Sequence, residues 1–216
     1  MGYSKNTWKI FNKYLKITNL LNSDNLPDGH ILISNEKYYG KEMLELGCQS
    51  FRHPGFNPKE KMANKYFNSI GIKCTSIDIK NCGDAEIVDL KQPIDMKYHN
   101  HFDIITNSGT TEHVSELNGQ YSAFKNIHLC SKLNGIMLHF VPAHGYPRKP
   151  HSDFDYNDGF FEILAKLNNY KIISIEKYDR KKGDLYWGVC FRKIKNSIFT
   201  IEKEKLYKNI KIIKKV

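Results

Sequence analysis

Apolar residues recur along this chain in two rhythms. Residues 5–21 place Trp8, Phe11, Leu15 and Leu20 at helical intervals with lysines between them, and the pattern stops at the turn-rich NSDNLPDG. A compact apolar run, EMLELG at 42–47, predicts a buried strand. The segment NPKEKMANKYFNSIGI at 57–72 opens on an Asn-Pro start signal, spaces Met62, Tyr66, Phe67 and Ile70 helically, and stops at Gly71. Strand-like runs follow at 73–79 (KCTSIDI), 85–90 (AEIVDL), 101–109 (HFDIITNSG), 134–142 (NGIMLHFVP), 170–178 (YKIISIEKY) and 184–193 (DLYWGVCFRK), with helical patterns at 118–132 and 157–168. The last two strands are joined by DRKKG alone, which permits a hairpin but not a parallel crossover. The pattern therefore predicts an α/β fold: a mostly parallel seven-stranded sheet flanked by helices, with an antiparallel C-terminal strand.

Length makes this one globular domain with small extensions, divided as an N-terminal helical cap (1–40), a main domain (41–194) and a basic C-terminal extension (195–216). Hydrophobic residues at 40% and charged residues at 26% fit a folded chain rather than a disordered one. The N-terminal MGYSKNTWKIFNKYLKITNLLN is broken by Lys and Asn every few positions, so it reads as neither a signal peptide nor a membrane span, and a cytoplasmic location is expected. Five cysteines, an odd number without any C-x-x-C pair, read as reduced, buried thiols. The net charge of +10 would suit a polyanionic partner, but much of the excess lies in the tail KEKLYKNIKIIKKV and the turn DRKKGD.

Ligands of open α/β sheets sit beyond the carboxyl ends of the strands, so the turn ELGCQSFRHPG at 45–55 is the first candidate site. A dinucleotide asks for G-x-G-x-x-G, because the backbone must approach a pyrophosphate at a helix N-terminus. Only Gly47 and Gly55 are present, with Phe51, Arg52, His53 and Pro54 between them, which argues against tight dinucleotide binding. A phosphate-free adenosine sulfonium asks for less: a glycine for close approach, acceptors for an amino group and a carboxylate for the ribose diol. Gly47 with Glu45, and Asp78 in SIDIK, supply those parts, and Asp89 ends the next strand on the same rim.

In order and spacing, LELGCQS, SIDIK, FDIITNSGTTEHV and LNGIMLHFVP resemble the class I, Rossmann-like S-adenosylmethionine-dependent methyltransferases over 42–192. The Glu-His-hydrophobic step in TTEHV is similar to that of many small-molecule methyltransferases, and SKLNG stands where they carry a K-x-G-G turn. The resemblance implies S-adenosyl-L-methionine as cofactor. It puts Glu45 and Gly47 at the methionine end, Asp78 on the ribose, Asp89 and Leu90 on the adenine side, and Asn107 and Ser108 beside the sulfonium. The chain departs from the family where its G-x-G is replaced by Gly47-Cys48-Gln49.

Methyl transfer from a sulfonium is an in-line displacement, carried mainly by alignment and exclusion of water. A hydroxyl acceptor gains from a base that titrates near neutral pH, which suits histidine, whereas an anionic acceptor needs a cationic clamp instead. His113 in TTEHV and His144 after the fifth strand are the candidate catalytic residues. The proline-containing PAHGYPRKPHSDFDY at 142–156 reads as a substrate-covering loop and offers Tyr146, Arg148 and His151 as substrate contacts; His139, inside IMLHFV, reads as core. His144, His151, Asp153 and Asp155 match no metal-ligand spacing, so no metal is expected. The expectation is O-methylation of a small polar metabolite or a glycan precursor, the latter from a loose likeness to methyltransferases of surface-polysaccharide biosynthesis. The alternatives are an RNA methyltransferase using the basic tail and a methyltransferase-like partner subunit without catalysis. NSGT stands where the N/D-P-P-Y/F signature of base methylation would be.

Overall fold

The computed structural model of the protein describes residues 2–18, 40–51, 61–144, 152–180 and 183–213. The chain begins with a short strand, β1 (Gly2–Tyr3), and helix α1 (Lys5–Ile17), whose start is fixed by Ser4, its side chain accepting the Thr7 N–H at 3.1 Å. Then come β2 (Glu42–Leu46), β3 (Ser50–Phe51), α2 (Ala63–Ser69), β4 (Lys73–Asp78) and β5 (Glu86–Ile87). The remainder comprises β6 (Phe102–Ser108), α3 (Leu117–Cys130), β7 (Ser131–Pro142), β8 (Phe154–Tyr156), α4 (Phe160–Asn168), β9 (Tyr170–Asp179), β10 (Leu185–Lys193), α5 (Lys203–Lys208) and β11 (Ile210–Ile212).

Seven strands form the central sheet in the order β5-β4-β2-β6-β7-β10-β9. The first five are mutually parallel, and β10 runs antiparallel to both β7 and β9. Alternate side chains of each strand face opposite layers, as the period of two requires. Leu44, Leu46, Ile105, Met137 and Val141 join a core with Phe124 of α3 and Phe160 and Leu164 of α4. Met43, Ile104, Ile136, Leu138 and Phe140 pack instead against Trp8, Phe11 and Leu15 of α1 and Phe67 of α2. Both faces are thus covered, which is why the parallel strands read as near-continuous apolar runs.

Several boundaries differ from the sequence pattern. Helix α2 starts at Ala63, six residues after Asn57; Met62 before it is extended and bridges Ser50, and its side chains are apolar enough to mimic a longer helix. The third strand shrinks to Glu86–Ile87, so Asp89 stands in the turn beyond it. Within the supposed loop 142–156, Phe154–Tyr156 forms a strand that pairs antiparallel with β11, and Phe154 and Tyr156 are buried. The basic C-terminal residues contribute Phe199, Ile201, Leu206 and Ile210 to the core on the α3/α4 face. Among the described residues no helix is long and apolar enough to cross a membrane.

The expectation of five reduced thiols is overturned. Cys48 and Cys82 form a disulfide, with 6.0 Å between their Cα atoms, while Cys74, Cys130 and Cys190 are free and buried. The reason is topological: β2 and β4 are parallel neighbours, so the segments that leave them emerge on the same rim and bring two cysteines 34 positions apart into contact.

Two core histidines set the acid limit of stability. Burial pushes His139, on β7, down to about 3, and His128, on α3, down to about 4, so both are neutral in the fold. In the unfolded chain each titrates near 6.5, roughly. Between those values the unfolded state binds extra protons, so this contribution is complete above pH ~6.5 and is lost as pH falls towards ~4. Burial of Glu45 works in the opposite sense, raising its carboxyl from 4.5 to about 8; the neutral form is favoured on folding, and that contribution is full below pH 4.5 and is lost as pH rises to 8. Unfolding free energy should therefore peak near pH 6–7, with slopes of up to about 1.4 kcal/mol per pH unit on either side. Urea titrations across pH 4–9 test this, and in Glu45→Gln the alkaline decline should flatten while the acid one steepens, because Glu45 no longer offsets the histidines there.

Candidate active site

The strand order reverses between β2 and β6, and there a crevice of about 530 Å³ opens at the carboxyl rim of the sheet. Three turns build it: the one after β2, the one after β4 continuing past β5, and the one after β6. Ile79, Val88, Leu90 and Val114 give it apolar walls, while Asp78, Asp89 and His113 supply polar groups.

Gly47 forms its narrowest wall. Its φ is +78°, and a Cβ there would stand 2.5 Å from Thr110 Oγ1 and 2.7 Å from Gln49 Nε2, so only glycine fits. Asp78, the last residue of β4, is held by two backbone donors: Cys48 N–H to Oδ2 at 2.8 Å and Lys80 N–H to Oδ1 at 3.0 Å. Each carboxylate oxygen keeps further acceptor capacity. Asp89 is fixed likewise by Lys91 N–H to Oδ1 at 2.9 Å. The disulfide ties the β2 turn to the segment after Asp78, so the two walls of the crevice are covalently joined.

Glu45 lies behind this surface, 1% exposed. Its Oε2 accepts from Ser76 Oγ at 2.5 Å and from Gln49 N–H at 3.5 Å. Asn107 and Ser108 are buried too and are not part of the crevice lining. Asn107 is the hub of a buried network instead. Its Nδ2 donates to Thr111 Oγ1 (2.8 Å) and His139 Nδ1 (3.2 Å), and its Oδ1 accepts from Thr111 N–H (3.1 Å). Tyr156 Oη lies 2.8 Å from both Thr111 Oγ1 and Gln120 Oε1, and Gln120 Nε2 donates to the carbonyls of Thr111 and Val114. Since an amide nitrogen only donates, His139 Nδ1 must accept, which leaves its proton on Nε2. This network locks the turn that carries His113 onto α3 and β8.

Of the sequence-derived residues, then, Gly47, Asp78, Asp89, Leu90 and His113 converge on one crevice, with Glu45 directly beneath. His144 is elsewhere, in a separate crevice of about 620 Å³ with Asn157, Asp158, Lys177 and Lys211. Tyr146, Arg148 and His151 lie outside the described residues. Sequence reasoning passed over Gln49, Thr110, Lys80 and Lys91, all of which line the first crevice. For Gln49 and Thr110 a signal existed, since each is next but one to or follows directly on a glycine of a candidate turn.

No protein-family model matches the chain, and no curated protein matches it by sequence. Solved structures do match it in fold. One is the 1,6-didemethyltoxoflavin-N1-methyltransferase of Burkholderia thailandensis, with 1,6-didemethyltoxoflavin and S-adenosylhomocysteine bound: 13% identity, TM-score 0.53, covering 73% of this chain and 72% of that one. Another is a protein from Pyrococcus horikoshii OT3, at 13% identity and TM-score 0.50, covering 87% of this chain and 91% of that one. The protein has the α/β fold of S-adenosylmethionine-dependent methyltransferases.

Proposed function

We propose that the protein is an S-adenosylmethionine-dependent methyltransferase that binds its cofactor in the crevice between the β2 and β4 turns. The observation that carries this is the meeting of Gly47 and Asp78 at the switch point of the sheet, in a crevice with apolar walls on which the carboxylates Asp78 and Asp89 also stand. Asp78 has lone pairs left for a ribose diol. Asp89 and Leu90 serve the adenine side, Glu45 and Gly47 the methionine end. Asn107 acts by holding the turn after β6.

The acceptor is a small polar metabolite or glycan precursor, methylated at oxygen. His113, half-buried at the crevice wall, is the base that takes the hydroxyl proton as the methyl group arrives, so that oxygen does not keep the positive charge that bond formation would leave on it while sulfur loses its own. Tyr146, Arg148 and His151 contribute to holding the acceptor, whereas the catalytic role expected of His144 is dropped, because it lines a different crevice from His113.

Calorimetry with S-adenosylhomocysteine tests the reading. Wild type should bind, and Asp78→Ala should weaken binding by roughly 1–3 kcal/mol through loss of the diol acceptor. If wild type does not bind, the chain is a non-catalytic relative in fold. With an acceptor in hand, His113→Ala should lower turnover at neutral pH and recover part of it at alkaline pH; full turnover across the range would remove the base.

A further inference from the structure

Gln49 stands where the family that this chain resembles carries a second glycine, and its side chain reaches into the wall of the crevice while remaining 1% exposed. Its amide orientation is determined by its partners. Nε2 lies 3.2 Å from the Leu46 carbonyl, which can only accept, so the nitrogen must be on that side. The Thr110 hydroxyl donates its proton to the same Leu46 carbonyl at 2.7 Å, so its oxygen accepts the second N–H of Gln49 at 3.3 Å. Both amide hydrogens are therefore used, and Gln49 Oε1 is left buried without a hydrogen-bond partner. Glu45 Oε1 is in the same condition, and Glu45 is joined to Gln49 through Gln49 N–H and Oε2.

Gln49 Oε1 is a buried acceptor without a donor, which is costly to fold unless a ligand brings one, and Glu45 becomes a second acceptor beside it once its carboxyl ionises. The complementary group is rich in N–H and positively charged, which describes a primary ammonium. We propose that Gln49 Oε1 accepts a hydrogen bond from the α-ammonium of the cofactor's aminoacyl end, with Glu45 as the charge partner behind it. A glycine at position 49 has no side-chain acceptor, so this contact is peculiar to the departure of this chain from the family's turn. The inference rests on the cofactor reading above. Ammonium beside Glu45 favours its carboxylate, so binding near pH 7 releases a proton from a carboxyl that is otherwise raised to about 8.

The test compares S-adenosylhomocysteine with 5′-methylthioadenosine, which keeps the adenosine and sulfur but lacks the aminoacyl group. Gln49→Leu should weaken S-adenosylhomocysteine roughly ten-fold or more, the scale of one lost hydrogen bond to a charged group, and leave methylthioadenosine within about two-fold. Gln49→Glu keeps an acceptor and should retain the preference for S-adenosylhomocysteine, which covers the case in which the leucine variant fails to fold. Equal weakening of both ligands in Gln49→Leu, an unchanged S-adenosylhomocysteine affinity, or loss of the preference in Gln49→Glu would overturn the proposal. A wild type that binds neither ligand overturns the cofactor reading itself. Proton release is read separately, from the dependence of the calorimetric enthalpy on the ionisation enthalpy of the buffer.

Discussion

Reduction of the Cys48–Cys82 bond will lower the unfolding free energy by about 3–4 kcal/mol, the chain-entropy value for a loop of this length. The cross-link closes 34 positions, and its loss restores to the unfolded chain the freedom of residues 48–82, from the turn after β2 to the segment after β4. The effect should be confined to this one bond, because the three remaining cysteines are buried thiols. A urea titration with and without reductant measures it, and the double variant Cys48→Ser/Cys82→Ser should match the reduced wild type and ignore reductant. Cofactor affinity should fall as well, since Cys48 N–H is one of the two donors that orient Asp78. A midpoint that does not move on reduction would mean that the native contacts hold the rim without the bond.

Replacement of Asn107 by leucine, of similar volume, should cost about 3 kcal/mol or more. It strips Thr111 N–H and His139 Nδ1 of the partner shown for each, and leaves Thr111 Oγ1 with Tyr156 Oη alone, in a buried region. Because the network holds the turn of His113, the damage should spread to turnover, while Ser108→Ala should change stability by less than about 1 kcal/mol. The comparison separates two roles that a polar residue can have at this position. If Asn107 touched cofactor, the leucine variant would keep its melting behaviour and lose affinity. If it holds the turn, stability falls first. Thermal melts and calorimetry on the same preparation distinguish these outcomes.

Much of the architecture was legible because buried parallel strands need continuous apolar runs and amphipathic helices need a stripe. EMLELG, HFDIITNSG and NGIMLHFVP could hardly have been anything else. The short DRKKG connection correctly implied that β9 and β10 are an antiparallel hairpin, but it says nothing of β10's other edge, which pairs with β7. Asn107 is the informative failure of resolution within the site. A polar residue after an apolar strand looks the same whether it meets a ligand or satisfies buried backbone, and only the positions of Thr111, His139 and Tyr156 decide. The disulfide was hidden for a similar reason, since spacing along the chain carries no information about which strands become neighbours. His113 and His144 could both be assigned to the rim, but their distribution over two crevices depends on how β8 and β11 fold across it.

The interior position of β10 has a consequence for how the protein is made. A ribosome releases residues 185–193 after the other six strands of the central sheet, yet they fill the gap between β7 and β9. Until they emerge, the nascent chain holds an unsealed β7 flank bearing Met137, Phe140 and Val141, and β9 has no neighbour to bind. Insertion of β10 thus completes the sheet, and a stalled or truncated chain that ends before Leu185 would expose unpaired strand edges to other copies or to a chaperone.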